Sequence, residues 1–195
     1  MKISDKNLIK IIKAGSVGVL PSETLYGLMC LADSKKTVER LYKIRKRNPK
    51  RPCIILISKI KDLEIFGVKP SKEEKEFLKK YWPGAVSVIL ECKSKKFEFL
   101  HRGTETLAFR MPKKKNLKDL ISKTGPILAP SANPEGKSTA LTIKEAKKYF
   151  TDEVDFYVPA GKLEKKASTL VKLRNGKVEI LRQGETKINN LTENK

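Results

Sequence analysis

Apolar positions along this chain alternate between helical and extended spacing, and the alternation predicts a succession of short helices and strands. Residues 4–14 carry an amphipathic helical pattern, with Ser4 or Asp5 as N-cap and Gly15 at its stop. A buried strand, SVGVLPS (16–22), follows and runs into a turn. Ser34 opens a helix that places Val38, Leu41, Tyr42 and Ile44 at helical spacing. Ser71 with Glu74 three residues on forms a capping box for a helix reaching Lys80. Further helices are predicted near 116–122 and, capped by Thr142, over 143–149.

The remaining apolar runs are too short for helices and rich in β-branched residues. They are CIILIS (53–58), AVSVILEC (85–92), TLAFRM (106–111), PILAP (126–130), DFYVP (155–159), STLVKL (168–173) and KVEILR (177–182). The last two flank an Asn175-Gly176 hairpin signal. βαβ-type alternation beside hairpins predicts an α/β fold: a single domain with a large twisted mixed sheet flanked by helices. The expected domain covers 1–186, with 187–195 as a polar, frayed tail. There is no internal repeat and no low-complexity linker.

Length and composition narrow the functional classes. At 195 residues the chain suits one compact domain. No stretch approaches the roughly 20 apolar residues of a membrane span. The N-terminus lacks a secretory pattern, so a cytoplasmic protein without membrane partners is expected. Three isolated cysteines, Cys30, Cys53 and Cys92, read as reduced, buried thiols. A single histidine, His101, argues against a His-based triad or multi-histidine metal site. Chemistry must then rest on arginine, lysine, hydroxyls, backbone amides and a magnesium ion brought by a nucleotide.

The formal net charge of +21 has two readings, a nucleic-acid protein or a lysine-rich solvated surface. Lysines lie in nearly every predicted helix, with no recognised nucleic-acid motif, which favours the solvated surface. Weak, salt-sensitive RNA or tRNA binding stays compatible with it. Of the 43 basic residues only eight are arginine: Arg40, Arg45, Arg47, Arg51, Arg102, Arg110, Arg174 and Arg182. Arginine differs from lysine in its planar fork of donors, which grips carboxylate or phosphate through two bonds. Four of the eight fall within 40–51 and two more close strand-like segments, TLAFRMP and VEILRQG. That clustering suggests a distributed anion site.

Four segments depart from what packing alone asks for. PSETLYGL (21–28) follows a strand, and Thr24, Tyr26 and Gly27 are expected in a loop open to ligand. Its Glu23 is either a solvated turn carboxylate or an orienting partner for a cation. YKIRKRNPKRP (42–52) gathers arginines around a helix end, where lysine would serve the dipole equally well. GPILAPSANPEG (125–136) ends a strand in small polar residues, a common ligand position in α/β sheets. ASTLV and ILRQG add a hydroxyl pair and an arginine on adjacent strands.

In this order, PSETLYGL, RKR…RP, YWPGAVSVIL, LAFRMP, APSAN, STLV and ILRQG resemble the YrdC/Sua5 family over roughly residues 5–185. Seven motifs at family-like spacing make the resemblance strong, and the length suits the short YrdC-type form. It implies a sheet curled around a concave, positively charged pocket. It also implies an L-threonylcarbamoyladenylate synthase, a nucleotidyltransferase joining L-threonine, bicarbonate and ATP, with Mg²⁺ carried by the ATP and no metal site of its own. The product serves tRNA N6-threonylcarbamoyladenosine (t6A) modification and passes to downstream t6A transferase proteins.

By motif, the resemblance makes Arg45 and Arg47 catalytic, and Thr24, Arg110, Ser131 and Ser168 threonine contacts. ATP contacts are Arg47, Arg51, Thr106, Asn133 and Arg182, which leaves Arg40, Arg102 and Arg174 as surface or structural charges. Arg45 stands where the family has lysine and Asn48 where it has proline. Pro134-Glu135 replaces a common apolar-Ser pair. Two alternatives remain: an RNA-binding module using the same basic concavity, and a carbamoyl-transferring homologue of hydrogenase maturation, which occurs within larger multidomain chains.

Overall fold

In a computed structural model, residues 1–174 and 177–188 are described. The helices are α1 (Lys6–Lys13), α2 (Lys35–Ile44), α3 (Lys72–Tyr81), α4 (Glu98–His101), α5 (Lys115–Thr124) and α6 (Ile143–Phe150). The strands are β1 (Gly18–Pro21), β2 (Tyr26–Leu31), β3 (Ile54–Leu56), β4 (Val86–Glu91), β5 (Thr106–Arg110), β6 (Ile127–Leu128), β7 (Phe156–Tyr157), β8 (Thr169–Arg174) and β9 (Lys177–Arg182). They form one mixed sheet in the order β7-β1-β2-β6-β3-β5-β4-β8-β9. β1/β7, β3/β5 and β4/β8 pair parallel, and the other neighbours pair antiparallel.

Local signals act as the sequence predicts. Asp5 caps α1 by accepting from Asn7 N at 2.8 Å. Ser34 and Thr142 cap α2 and α6, and the Ser71/Glu74 box closes at both ends. The Asn175-Gly176 turn lies outside the described residues. So does the tail beyond Ile188, itself 5% exposed and packed in the core.

The main correction concerns β2. Tyr26 and Gly27, expected in a loop, begin a strand whose six residues are all buried. Tyr26, Leu28 and Cys30 face one apolar cluster while Met29 and Leu31 face another. A strand covered on both faces shows no polar alternation, and the PSET turn beside it hides its start.

The two clusters lie on opposite faces of the sheet. One face packs on α2, α3, α6 and a 3-10 segment, Ile60–Phe66, through Leu41, Leu78, Phe150 and Phe66. The other is covered by α1 and α5, through Leu8, Ile12, Leu117 and Ile121, against β1, β2, β6 and β3. That cover does not extend over β5, β4 and β8, where Leu107, Phe109, Val88 and Val171 point into the first core. Their alternate neighbours Ala108, Ile89 and Leu170 instead floor an open cleft. Among the described residues no helix is long and apolar enough to cross a membrane.

Candidate active site

The cleft encloses about 530 Å³, a size suited to small ligands. Alternation along β5 places Thr106, Ala108 and Arg110 on its floor. Thr106 and Arg110 are four residues apart, so the floor has two polar ends about 13 Å apart, taking ~3.3 Å per strand residue.

At one end stands Arg110, only 4% exposed. Its Nε donates to Gly84 O (3.0 Å), Nη1 to Thr24 Oγ1 (3.2 Å) and Nη2 to Glu23 Oε2 (2.7 Å). Glu23 is thus the orienting partner of a cation rather than a solvated turn carboxylate. Burial pulls the Arg110 guanidinium below its ordinary value, and the Glu23 carboxylate opposes that shift. Ser168 belongs to the same end. Its hydroxyl lies 2.8 Å from that of Ser87, the residue before Val88, whose pairing with Phe109 ends the β4/β5 ladder next to Arg110. Arg182 holds Ser168 through Nε and Nη2 to its carbonyl (3.1 and 2.9 Å).

The 167–168 backbone lies so close to the 182–184 segment that only glycine fits at 184. A Cβ there would stand 2.1 Å from Ala167 O and 2.6 Å from Ser168 C. The closing glycine of ILRQG therefore allows Ser168 and Arg182 to meet.

Towards the other end, the loop after α2 supplies Arg45 and Arg47. Arg45, 5% exposed, donates through Nε to Ser131 O (3.0 Å) and through Nη2 to Ser131 Oγ (3.1 Å). Its Nη1 is buried without a hydrogen-bond partner, and burial together with neighbouring Arg47 lowers its proton affinity. Arg47 is pinned by its own loop, Nε to Arg51 O (3.0 Å) and Nη2 to Pro52 O (2.8 Å).

Eight of the ten expected site residues line the cleft: Thr24, Arg45, Arg47, Thr106, Arg110, Ser131, Ser168 and Arg182. Asn133 and Arg51 do not. Asn133 staples the loop behind it, donating to Pro134 O (2.9 Å) and Lys137 O (2.8 Å) and accepting weakly from Arg45. Arg51 lies on the rim, 69% exposed, paired with Glu135 at 3.1 Å. The lining also holds Ser22, Thr104 and Thr139, which sequence reasoning passed over. Single hydroxyls in turns carry no periodic signal.

Arg40 and Arg102, left outside the site, have structural partners. Arg40 grips both Asp155 oxygens (2.5 and 2.9 Å), and Arg102 stacks on Tyr42. All three cysteines are free and buried. Among the described residues no cluster of three His, Cys, Asp or Glu side chains could hold a metal ion.

A mixed sheet flanked by helices, with a cleft lined by four arginines and several hydroxyls, defines an α/β protein with a cationic pocket. The chain belongs to the Sua5/YciO/YrdC family: the family model, described as telomere recombination, matches residues 10–184. It is 38% identical over 130 residues to a threonylcarbamoyl-AMP synthase of Bacillus subtilis, covering 65% of this chain and 37% of that protein. It is 30% identical over 175 residues to the threonylcarbamoyl-AMP synthase of Pseudoalteromonas translucida, covering 87% of this chain and 93% of that protein. The structure of Pyrococcus abyssi Sua5 complexed with L-threonine superposes with TM-score 0.84 at 28% identity, over 93% of this chain and 54% of that one. The chain thus spans about a third to a half of some relatives and nearly all of others.

Proposed function

We propose that the protein is an L-threonylcarbamoyladenylate synthase, a nucleotidyltransferase making threonylcarbamoyl-AMP and pyrophosphate from L-threonine, bicarbonate and MgATP. The observation carrying this reading is the pair of polar ends on one cleft floor, a buried Arg110 at one and Arg47 towards the other. The relatives' names and the threonine complex of the Pyrococcus protein support it.

The threonine carboxylate lies against Arg110, which Glu23 and Gly84 O already hold in one orientation. Thr24 and Ser168 complete the amino-acid end, and Ser131, held by Arg45, reaches the amino acid from the opposite side. The threonine amine takes up carbon from bicarbonate with loss of water. One oxygen of the resulting carbamate attacks the α-phosphorus of ATP, and pyrophosphate leaves.

Carbamate and triphosphate repel each other, and the arginines offset that repulsion. Arg47 binds phosphate oxygens, Arg182 reaches them from beside Ser168, and buried Arg45, its Nη1 unpartnered, adds positive charge behind the site. No covalent nucleophile is required. Thr106 lies on the nucleotide side. Asn133 acts by holding Arg45 and the Ser131 loop, and Arg51 reaches the nucleotide from the rim. The magnesium ion arrives with ATP as part of the substrate.

The activity fits a cytoplasmic step of t6A synthesis, its labile product passing to the transferase proteins, with weak tRNA binding by the lysine-rich exterior. The test is pyrophosphate release with each substrate omitted in turn. Release must require threonine and bicarbonate together; equal release without either one contradicts the reading.

A further inference from the structure

We propose that Tyr42 and Arg102, neither of which lines the cleft, are positioning residues that fix the Arg47 side chain for its anionic ligand. The inference deepens the proposed phosphate role of Arg47 and rests on it for its functional consequence.

Arg47 is a long side chain on the surface half of a loop, and its rotamer freedom would ordinarily be large. The Arg51 carbonyl limits it by accepting Arg47 Nε at 3.0 Å. The same carbonyl also accepts the hydroxyl of Tyr42 at 2.9 Å. Tyr42 sits in the last turn of α2, 5% exposed, so its ring is fixed by packing. The carbonyl that holds Arg47 is therefore held by a rigid helix rather than by the loop alone.

Arg102 holds the other side of that ring. Its guanidinium carbon stands 4.0 Å from the Tyr42 centroid, while Nη1 pairs with Glu39 on the same helix at 2.9 Å. Nε and Nη2 of Arg102 are buried with no hydrogen-bond partner, so the aromatic face is their main compensation. A cation over the ring withdraws electron density and makes the phenol a better donor to Arg51 O. The relay runs Arg102, Tyr42 ring, Tyr42 hydroxyl, Arg51 carbonyl, Arg47. With Nε and Nη2 tied to carbonyls, Arg47 Nη1 is the nitrogen offered to a ligand.

Tyr42→Phe removes one oxygen and leaves the ring and its stacking in place. The test is calorimetric MgATP binding to wild type, Tyr42→Phe, Arg102→Lys, Arg47→Ala and the Tyr42→Phe/Arg47→Ala double variant. Exchange of the Arg47 Nε proton is followed by NMR alongside. Tyr42→Phe should weaken ATP binding roughly 3- to 10-fold, the equivalent of one hydrogen bond, and speed Arg47 Nε exchange. Arg102→Lys, which keeps the charge but not the stacking plane, should shift both readouts the same way. In the Arg47→Ala background Tyr42→Phe should add nothing. Unchanged Nε exchange in Tyr42→Phe, or an equal loss of affinity with and without Arg47, overturns the proposal. Wild type that fails to bind ATP would instead remove the phosphate reading, with the exchange measurement still judging the positioning.

Discussion

The backbone N–H of Asn48 donates to the Glu135 carboxylate, joining two of the three places where this chain departs from the motif pattern it resembles. A proline at 48 would have no N–H to give, and the usual apolar-Ser pair would bring no carboxylate to receive it. Glu135 also pairs with Arg51, and its own N–H donates to Arg45 O at 3.0 Å. These two departures therefore form one latch between the arginine loop and the Ser131–Gly136 loop. Glu135→Ala and Asn48→Pro should each destabilise the fold by up to about 1 kcal/mol, and the double variant by clearly less than their sum. Denaturant titration measures the cycle, and strict additivity would contradict the latch.

The latch has a pH signature. The Asn48 N–H and then the surrounding arginines hold the Glu135 carboxyl below the usual carboxylate range. Its contribution is complete above the unfolded value near 4.3 and is lost as pH falls through the lower folded value. The melting-temperature gap between wild type and Glu135→Gln should be constant at neutral pH and close in acid. A gap that widens on acidification would reverse the assignment.

Arg110 tests the difference between a charge and a fork. Truncating one member of a buried hydrogen-bonded charge pair costs roughly 2–5 kcal/mol, so Arg110→Ala should lose at least roughly 30-fold in kcat/KM for threonine. Arg110→Lys should fare little better, because one ammonium cannot serve Gly84 O, Thr24, Glu23 and a carboxylate together. Steady-state kinetics decides, and near-wild-type activity of Arg110→Lys would refute the clamp.

Gly184→Ala should be far worse than its size suggests, since the new methyl meets backbone at 2.1 Å. Separation of the 167–168 and 182–184 segments removes Ser168 from Arg182. We expect a lower melting temperature together with a raised threonine KM. A silent substitution would contradict the close approach.

The cysteines should be inert. Burial raises all three thiols, Cys30 to about 12, leaving almost no thiolate at neutral pH. Alkylation of native protein should proceed only at the rate of unfolding.

Much of this was legible in the residues themselves. Caps such as Ser71/Glu74 act within one turn, and strands such as TLAFR alternate between a core and a ligand face, so both leave local patterns. β2 was hidden because burial on both faces removes alternation, and the turn before it looks like a ligand loop. The scarcity of arginine pointed to the cleft, and four of the seven arginines with described side chains line it. Arginine spacing alone could not separate those four from Arg40 and Arg102, whose partners Asp155 and Tyr42 lie 115 and 60 residues away; the motif positions did. Nor could spacing reveal that Asn48 and Glu135 compensate each other, since their contact exists only after both loops reach the same edge of the cleft.

The central claim is that one cleft joins three substrates. The direct measurement is product analysis in parallel reactions labelled in turn at bicarbonate carbon, threonine and the ATP α-phosphate. All three labels should appear in a single nucleotide species, and Arg47→Ala or Arg110→Ala should nearly abolish it. Label from ATP in a product that carries neither threonine nor bicarbonate carbon would contradict the account.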